Sequence, residues 1–198
     1  MTALTVRELG PDEVGHVQWA LYQAVSWDPG RKLPPFEVTI EHPQLAMYHR
    51  DWGRFGDLAL AAETDGDVVG VAFFRLFTED EHGHGFVDDR TPELGIAVRD
   101  GRRGEGIGTL LLAELAARSR ERGIERLSLS VESENPALRL YARLGYREIS
   151  RDDTGGIRMV LDLGGSQTGA ATTGASALQG KSIQSDVRRQ TYSQRIVD

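Results

Sequence analysis

The chain has 198 residues, of which 39% are hydrophobic and none is cysteine, and its formal net charge at pH 7 is −7. This length suits one domain with an ordinary core, and the lack of cysteine excludes disulfides, thiolate metal ligands and thiol nucleophiles. The acidic balance argues against a general nucleic-acid binder, and no segment approaches the ~18 apolar residues of a membrane span. The first ten residues lack the pattern of an export signal. The composition therefore predicts a soluble cytoplasmic protein with no nucleic-acid or membrane partner.

The first half of the chain reads as a strand, helical segments and a hairpin. A short strand over residues 4–8 is followed by Gly10 and Pro11 and then by a helical stretch over 12–25. Residues 26–40 read as loop. Asp65 and Gly66 are a two-residue turn signal between two apolar segments, which predicts a hairpin. The remaining predictions are a helix over 43–52 and hairpin strands over 57–63 and 68–77.

The second half predicts strands that alternate with helices. After a polar loop over 79–89, an apolar strand at 93–98 leads through a glycine-rich turn to a helix that Gly123 ends. A strand follows at 126–131, and then a helix that Asn135 and Pro136 open and Gly145 closes. Segments 146–149 and 158–163 make a closing hairpin. Residues 164–180 are almost entirely small or polar, which predicts one domain over 1–163 and a flexible tail over 164–198.

The turn between the strand at 93–98 and the following helix is the strongest chemical signal. The helix places four apolar residues on one face, and no Ser, Thr or Asn lies between 101 and 108 to cap its first amides. Asp100 would serve as a cap if the helix began early. Glycines let an anion approach the backbone, and the helix dipole favours phosphate there. The apolar face comprises Ile107, Leu110, Leu111 and Leu115, and local positive charge comes from Arg99, Arg102 and Arg103.

Three other interpretations of this turn were weighed. A glycine-bearing loop before a core helix needs no ligand at all. A P-loop requires Gly-Lys-Ser/Thr at the helix start, but Ile107 precedes Gly108 and Thr109, and there is no lysine. The dinucleotide fingerprint requires its last glycine three residues after the second, whereas Gly104, Gly106 and Gly108 are evenly spaced. Both nucleotide motifs therefore fit poorly.

Two segments at family spacing resemble the GNAT superfamily of acyl-CoA-dependent N-acetyltransferases. The first is Arg103-Gly104-Glu105-Gly106-Ile107-Gly108, which resembles the Arg/Gln-x-x-Gly-x-Gly/Ala pyrophosphate loop. The second runs from Asn135 to Tyr146 and resembles the motif that follows it. The resemblance covers residues 57–163 well. It implies an α/β (α+β) fold with a mixed, mostly antiparallel central sheet flanked by helices on both faces and splayed between its fourth and fifth strands.

The resemblance also implies a cosubstrate and its binding residues. Acetyl-CoA would bind without a metal, its acetyl-pantetheine arm would pair with a strand edge, and backbone amides would hold its pyrophosphate. Replacing Gly106 by Val is expected to block the anion and leave the helix largely intact. A homodimer is compatible with the resemblance. The implied cofactor-binding residues are Ile96, Ala97 and Val98 on the strand, Arg103, Gly104, Glu105, Gly106, Ile107, Gly108 and Thr109 in the loop, and Asn135 beside the pantetheine.

Acetyl transfer to an amine needs a base and an acid, because an alkylammonium has a pKa of ~10 and the departing thiolate takes up a proton. Glu93 is the candidate base, because its strand face continues through the small residues Gly95 and Ala97. The alternative for Glu93 is a solvated or paired carboxylate. The resemblance makes Tyr141 the candidate acid, and the alternative is a core tyrosine with a satisfied hydroxyl.

The amine acceptor is not readable from these motifs, because the N-terminal segments form its pocket. The leading hypothesis is acetylation of a small-molecule amine. Acetylation of a peptide N-terminus is a second hypothesis, weakened by Ser130 where that subgroup has glutamate. A non-catalytic acyl-CoA sensor is a third. His82 and His84 fit a solvated loop better than a metal site. Candidate pocket residues are those of this loop together with Trp27, Asp51, Trp52, Arg54, Arg75 and Phe86.

Overall fold

The computed structural model describes residues 3–164, so the tail predicted beyond residue 164 lies outside the described residues. The chain forms a seven-stranded sheet of order β1-β2-β3-β4-β5-β7-β6. Its strands are β1 (Thr5–Glu8), β2 (Leu58–Thr64), β3 (Asp67–Arg75), β4 (Glu93–Val98), β5 (Arg126–Glu132), β6 (Arg147–Arg151) and β7 (Gly156–Asp162). Its helices are α1 (Val14–Val25), α2 (Phe36–Ile40), α3 (Pro43–His49), α4 (Ile107–Glu121) and α5 (Leu138–Arg143).

The hairpin predicted around Asp65 and Gly66 joins β2 to β3. Both turn residues have positive φ angles, 56° for Asp65 and 83° for Gly66, as a tight hairpin with matching twist requires. The ladder then runs from Thr64 opposite Asp67 to Leu58 opposite Phe74. The register shifts between Ala62 and Glu63, so the local turn signal predicted the hairpin but not its full register.

The segment predicted as loop over residues 26–40 contains the short helix α2. Pro35 precedes the helix, and its carbonyl accepts hydrogen bonds from the amides of Val38 and Thr39 at 3.0 and 2.9 Å. The ring of Phe36 packs edge-on against that of Tyr22 in α1, with centroids 5.4 Å apart. The loop prediction was wrong at this end because the prolines open a helix here rather than extend a loop.

Two helices differ in length from their predictions. The helix predicted over 43–52 ends at His49, and Asp51 then takes a φ of 52° that no helix allows. The helix that Asn135 opens begins only at Leu138, because the side-chain oxygen of Asn135 accepts a hydrogen bond from the amide of Ala137 at 2.9 Å and forms a turn first. Gly145 closes that helix with a φ of 91°.

Helices cover both faces of the sheet, as predicted. On one face, α1 and α3 pack against inward residues of β2 and β3 such as Ala61 and Phe73. On the other, α4 packs against alternate residues of the same strands, such as Leu60 and Phe74, and α5 contributes Tyr141 to this core. No helix within residues 3–164 is long and apolar enough to cross a membrane.

Arg75, at the end of β3, is fully buried and fastens the segment after α3 to the sheet. Its guanidinium donates to both carboxylate oxygens of Asp57 at 2.9 and 2.6 Å, and to the carbonyls of Met47 and Arg50 at 2.8 and 2.7 Å. The ring of Trp52 lies 5.3 Å from it. Arg75 and Trp52 are thus structural, and their prediction as acceptor-pocket residues was wrong.

The sheet separates between β4 and β5. These two strands run parallel, and the single residue pair in their ladder is Glu93 with Ser128, at the start of β4. Beyond this pair, β4 stays hydrogen-bonded to β3 over its full length, while β5 continues with β7. The edge of β4 that faces β5 therefore lacks a strand partner over most of its length, and a cleft opens there.

Candidate active site

A cleft of about 520 Å³ lies where β4 and β5 diverge. Segments from α1, α3, β4, the glycine-rich turn, the start of α4, β5 and α5 all border it. The structure thus brings the predicted cofactor and catalytic residues to one cavity. Those that line it are Glu93, Ile96, Ala97, Val98, Arg103, Gly104, Gly106, Ile107, Gly108, Thr109, Asn135 and Tyr141.

The glycine-rich turn leaves the first amides of α4 without a side-chain cap. Gly106 precedes the helix with a φ of 85°, and no side chain bonds to the first turn. Asp100, which sequence offered as a cap, instead pairs with Arg103 at 3.0 Å. Free amides and the positive helix end therefore face the cleft, which is the arrangement that binds phosphate.

The side chain of Glu105 does not take part in this anion site. It lies outside the cleft lining and pairs with Arg102, whose Nε atom is 2.8 Å from Oε2. Any contribution of Glu105 to anion binding must then come from its backbone. The two acidic partners, Asp100 and Glu105, also offset part of the positive charge that sequence assigned to this turn.

Two glycines of the turn have different physical roles. At Gly106, the positive φ disfavours any residue with a Cβ, although a Cβ would meet no atom within 4 Å. In Gly106→Val, valine would therefore strain the backbone at the residue before the helix as well as crowd the proposed anion, so this variant does not isolate the anion site. At Gly108, the φ is helical, and a Cβ would lie 3.2 Å from Leu140 and 3.8 Å from Val98, both of which border the cleft.

Glu93 sits at the first position of β4, with 4% of its surface exposed. Its Oε1 atom accepts hydrogen bonds from the Tyr48 hydroxyl at 2.6 Å and from the Gly85 amide at 2.8 Å. Burial raises the pKa of Glu93 above its ordinary value, and these two bonds oppose that rise. A more basic carboxylate at the cleft suits proton removal. Sequence reasoning missed Tyr48, which has no local pattern linking it to Glu93.

Tyr141 lies on α5 with 8% of its surface exposed and borders the cleft. Its ring packs edge-on against Tyr146 with centroids 5.8 Å apart. No hydrogen bond to its hydroxyl is found within residues 3–164, so the alternative of a core tyrosine with a satisfied hydroxyl does not describe it. Burial raises the pKa of Tyr141, which keeps the phenol protonated at neutral pH.

The side of the cleft formed by N-terminal segments has an aromatic residue and, next to it, an ion pair. Trp27, predicted from sequence, borders the cleft, and Arg31 lies 5.8 Å from the centre of its ring. Arg31 also pairs with Glu132 at the end of β5, with Nη2 and Oε2 3.0 Å apart. Arg31 and Glu132 were missed from sequence. His84, in the predicted loop, borders the same cleft, while Phe86 stacks on His82 with centroids 4.4 Å apart.

Comparison with known families identifies one match. The model of the acetyltransferase (GNAT) family matches residues 20–146, which is more than half of the chain. The matched segment runs from α1 to the end of α5, so it contains β4, the glycine-rich turn and Tyr141 together.

Two curated relatives are acetyltransferases of small molecules. The L-methionine sulfoximine/L-methionine sulfone acetyltransferase of Pseudomonas aeruginosa is 35% identical over 94 residues, which are 47% of this chain and 51% of that protein. The streptothricin acetyltransferase of Streptomyces lavendulae is 30% identical over 122 residues, 56% of this chain and 60% of that protein. The matched segments span between half and two thirds of these relatives.

Two solved structures share the fold. YncA from Salmonella typhimurium, solved with its cofactor acetyl-CoA, has a TM-score of 0.61 and 23% identity, and the match covers 86% of this chain and 99% of that one. The ribosomal-protein-alanine N-acetyltransferase of Brucella melitensis has a TM-score of 0.57 and 28% identity, with 80% and 99% covered. This chain therefore shares the overall fold of these proteins.

Proposed function

The chain belongs to the GNAT acetyltransferase family, and on that premise we propose that it transfers an acetyl group from acetyl-CoA to a primary amine of a small molecule. One observation carries the proposal: the uncapped start of α4, the unpaired edge of β4, Glu93 and Tyr141 border the same cleft. An anion site, a strand edge, a base and an acid are the parts that this reaction requires.

The cleft suits acetyl-CoA in two ways. The amides at the start of α4, from Ile107 to Thr109, would hold the pyrophosphate, since nothing within the described chain caps them. The edge of β4 at Ile96 and Val98 has backbone groups that β5 does not reach, and these would pair with the amides of the pantetheine arm. The thioester would then lie between the strand and Tyr141 on α5.

We assign one proton transfer to each of the two side chains. Glu93 accepts a proton from the acceptor ammonium, which leaves the nitrogen lone pair free to attack the thioester carbonyl. As the carbon–sulfur bond breaks, the electron pair goes to sulfur, and Tyr141 protonates the resulting thiolate. The nitrogen is cationic after the attack, and it releases its second proton to solvent to give the neutral amide. The products are the acetylated amine, CoA and one net proton, and both side chains return to their starting states by exchange with solvent.

A small-molecule acceptor is supported by the two curated relatives, which are named for methionine derivatives and streptothricin. The 28% identity to a ribosomal-protein-alanine acetyltransferase favours a peptide N-terminus as a second candidate. Ser130, where that subgroup is expected to have glutamate, borders the cleft here. We therefore place the peptide second.

The test has two stages. Acetyl-CoA at about 100 times its Kd should stabilise the folded chain by about 2.7 kcal/mol, measured as a rise in Tm. Thiol release should then be followed with L-methionine sulfone, streptothricin and a short peptide with N-terminal alanine. No rise in Tm would refute the cofactor site. A rise in Tm without turnover on any amine would favour an acyl-CoA sensor, and turnover on the peptide alone would favour the second candidate.

A further inference from the structure

Within residues 3–164, the carboxylate of Glu93 is hydrogen-bonded on one oxygen and bare on the other. Both the Tyr48 hydroxyl and the Gly85 amide donate to Oε1, at 2.6 and 2.8 Å. Oε2 is buried and has no hydrogen-bond partner in this part of the chain. Because an unpaired buried acceptor is costly, a partner for Oε2 is expected from a molecule in the cleft that Glu93 borders.

Ring packing fixes the Tyr48 hydroxyl in place. The ring is 5% exposed and makes edge contacts with Phe73, at 6.4 Å between centroids, and with Phe77, at 4.9 Å. These contacts come from β3 and from the residues just after it, so the sheet itself sets where the hydroxyl lies. The hydrogen bond to Glu93 therefore joins α3 to the first residue of β4.

Gly83 and Gly85 enclose this pair of side chains. A Cβ on Gly83 would overlap the Tyr48 hydroxyl and lie 2.7 Å from Oε2 of Glu93, and one on Gly85 would lie 2.7 Å from Cδ of Glu93. Neither glycine is among the described residues with positive φ, so close approach, not backbone conformation, requires glycine here. The loop thus packs directly against the Glu93 carboxyl group and the Tyr48 hydroxyl.

The charged and titratable groups around Glu93 come from three other elements. Tyr48 lies on α3, His82 lies in the loop after β3, and Arg158 lies on β7. The Nε atom of Arg158 donates to the carbonyl of His84 at 3.0 Å, which holds the loop against the sheet. Of these groups, only Tyr48 donates a side-chain hydrogen bond to the carboxylate, so its loss should affect Glu93 most.

We propose that Tyr48 is a positioning residue that holds Oε1 of Glu93, so that Oε2 is the oxygen that takes the proton from the acceptor amine. This inference rests on the proposed function, because it assigns a geometry to the base of that reaction. In the step, an N–H bond of the ammonium breaks, an O–H bond forms on Oε2, and the lone pair remains on nitrogen.

A titration without turnover tests the hydrogen bond directly. The ¹³C signal of the Glu93 carboxyl, assigned by its loss in Glu93→Gln, is followed against pH in the full chain. Tyr48→Phe keeps the ring but removes a donor to the charged form, so the pKa of Glu93 should rise by about one unit or more. Tyr22→Phe is the matched control, since Tyr22 packs on Phe36 away from the cleft, and its titration should match wild type.

The pH profile of acetyl transfer to L-methionine sulfone tests the catalytic consequence. The base must be ionised, so a higher pKa moves the acidic limb of kcat/KM to higher pH by the same one unit. Below that limb, Tyr48→Phe should be about tenfold slower than wild type. Well above it, the rate should recover, and the KM for acetyl-CoA should be unchanged throughout. A tyrosine that only packs would not move the limb.

A second variant tests the proposal if Tyr48→Phe does not fold. Gly83→Ala keeps the hydroxyl but displaces it from Oε1, so it should raise the pKa of Glu93 in the same direction. An unchanged titration in a folded Tyr48→Phe would overturn the proposal, as would a shifted titration with an unshifted limb. If Glu93→Gln itself keeps the acidic limb, the base of the proposed function is wrong. If no amine is acetylated, the proposed function fails on that ground alone.

Discussion

Replacing Tyr141 by Phe separates a catalytic hydroxyl from a packing ring. The ring is buried against Tyr146 and would keep its contacts in the variant. The hydroxyl makes no hydrogen bond within the described chain, so its removal breaks none. The free energy of unfolding should therefore change by less than about 1 kcal/mol.

The rate should respond very differently. A positioned acid typically contributes about 10² to 10⁴ in rate, so kcat of Tyr141→Phe should fall by that factor where thiolate departure limits turnover. Affinity for acetyl-CoA should survive, because the proposed anion and pantetheine contacts are made by α4 and β4. The assay is thiol release at saturating acetyl-CoA, with the Kd for acetyl-CoA and the Tm measured on the same preparation.

Tyr146→Phe is the control for this experiment. Tyr146 is 4% exposed, its hydroxyl is buried without a partner in the described chain, and its ring packs against that of Tyr141. It lies outside the lining of the cleft. The control should therefore keep its rate. A Tyr141→Phe enzyme that folds, binds acetyl-CoA and works at nearly the wild-type rate would show that Tyr141 is a core residue and that the acid lies elsewhere.

Three further variants probe the cleft and the fold. Gly108 has a helical φ, so Gly108→Val would not strain the backbone, but its Cβ would lie 3.2 Å from Leu140 at the cleft. The Kd for acetyl-CoA should therefore rise at least about tenfold in a binding titration. A normal Kd would show that acetyl-CoA does not bind at this end of the cleft. Arg75→Ala removes the buried cation 2.6 Å from Asp57 and leaves that buried carboxylate with only the distant Arg54 as an ion-pair partner within the described residues, so it should lower the free energy of unfolding by about 3–5 kcal/mol in urea. Arg54 is exposed and 4.0 Å from the same carboxylate, so Arg54→Ala should lower the free energy of unfolding by less than about 1 kcal/mol. Burial raises the pKa of Glu93, so the native state keeps a proton that the unfolded state releases above pH ~4.3. Wild type should therefore lose stability relative to Glu93→Gln as the pH rises from ~4.3 to the native pKa. Parallel curves of unfolding free energy against pH for the two proteins would contradict the raised pKa.

The parts of the fold predicted correctly from sequence are those with a local cause. The turn at Asp65 and Gly66 needs two positive φ angles, and these residue types supply them. The helix α4 follows from apolar spacing and ends where Gly123 takes a φ of 74°. By contrast, α2 has only five residues and depends on packing between Phe36 and Tyr22. Nothing within such a short segment distinguishes a helix from a loop.

The residues of the candidate site also divide into those with a local sequence pattern and those without one. The glycine-rich turn is contiguous, so its residues could be predicted to act together. Tyr48 and Glu93 are 45 residues apart, and Arg31 and Glu132 are 101 residues apart. Their contacts exist because α1, α3 and the sheet stack, which no local pattern encodes. Sequence reasoning consequently identified the contiguous turn at the cleft and missed these contacts between distant segments.

The direction of the pKa of Tyr141 constrains how it can serve as an acid. A free phenol has a pKa of ~10 and a thiol one of ~8.5, so in water the proton would stay on the phenol. Burial raises the pKa of Tyr141 further, which alone would disfavour the transfer. A thiolate formed in the same cleft is desolvated as well, and this raises the pKa of its thiol in the same direction. Burial of both groups therefore offsets part of the cost of the transfer only while the thiolate remains buried beside the hydroxyl. If Tyr141 is the acid, as we propose, it would donate its proton as the carbon–sulfur bond breaks, before water reaches the sulfur.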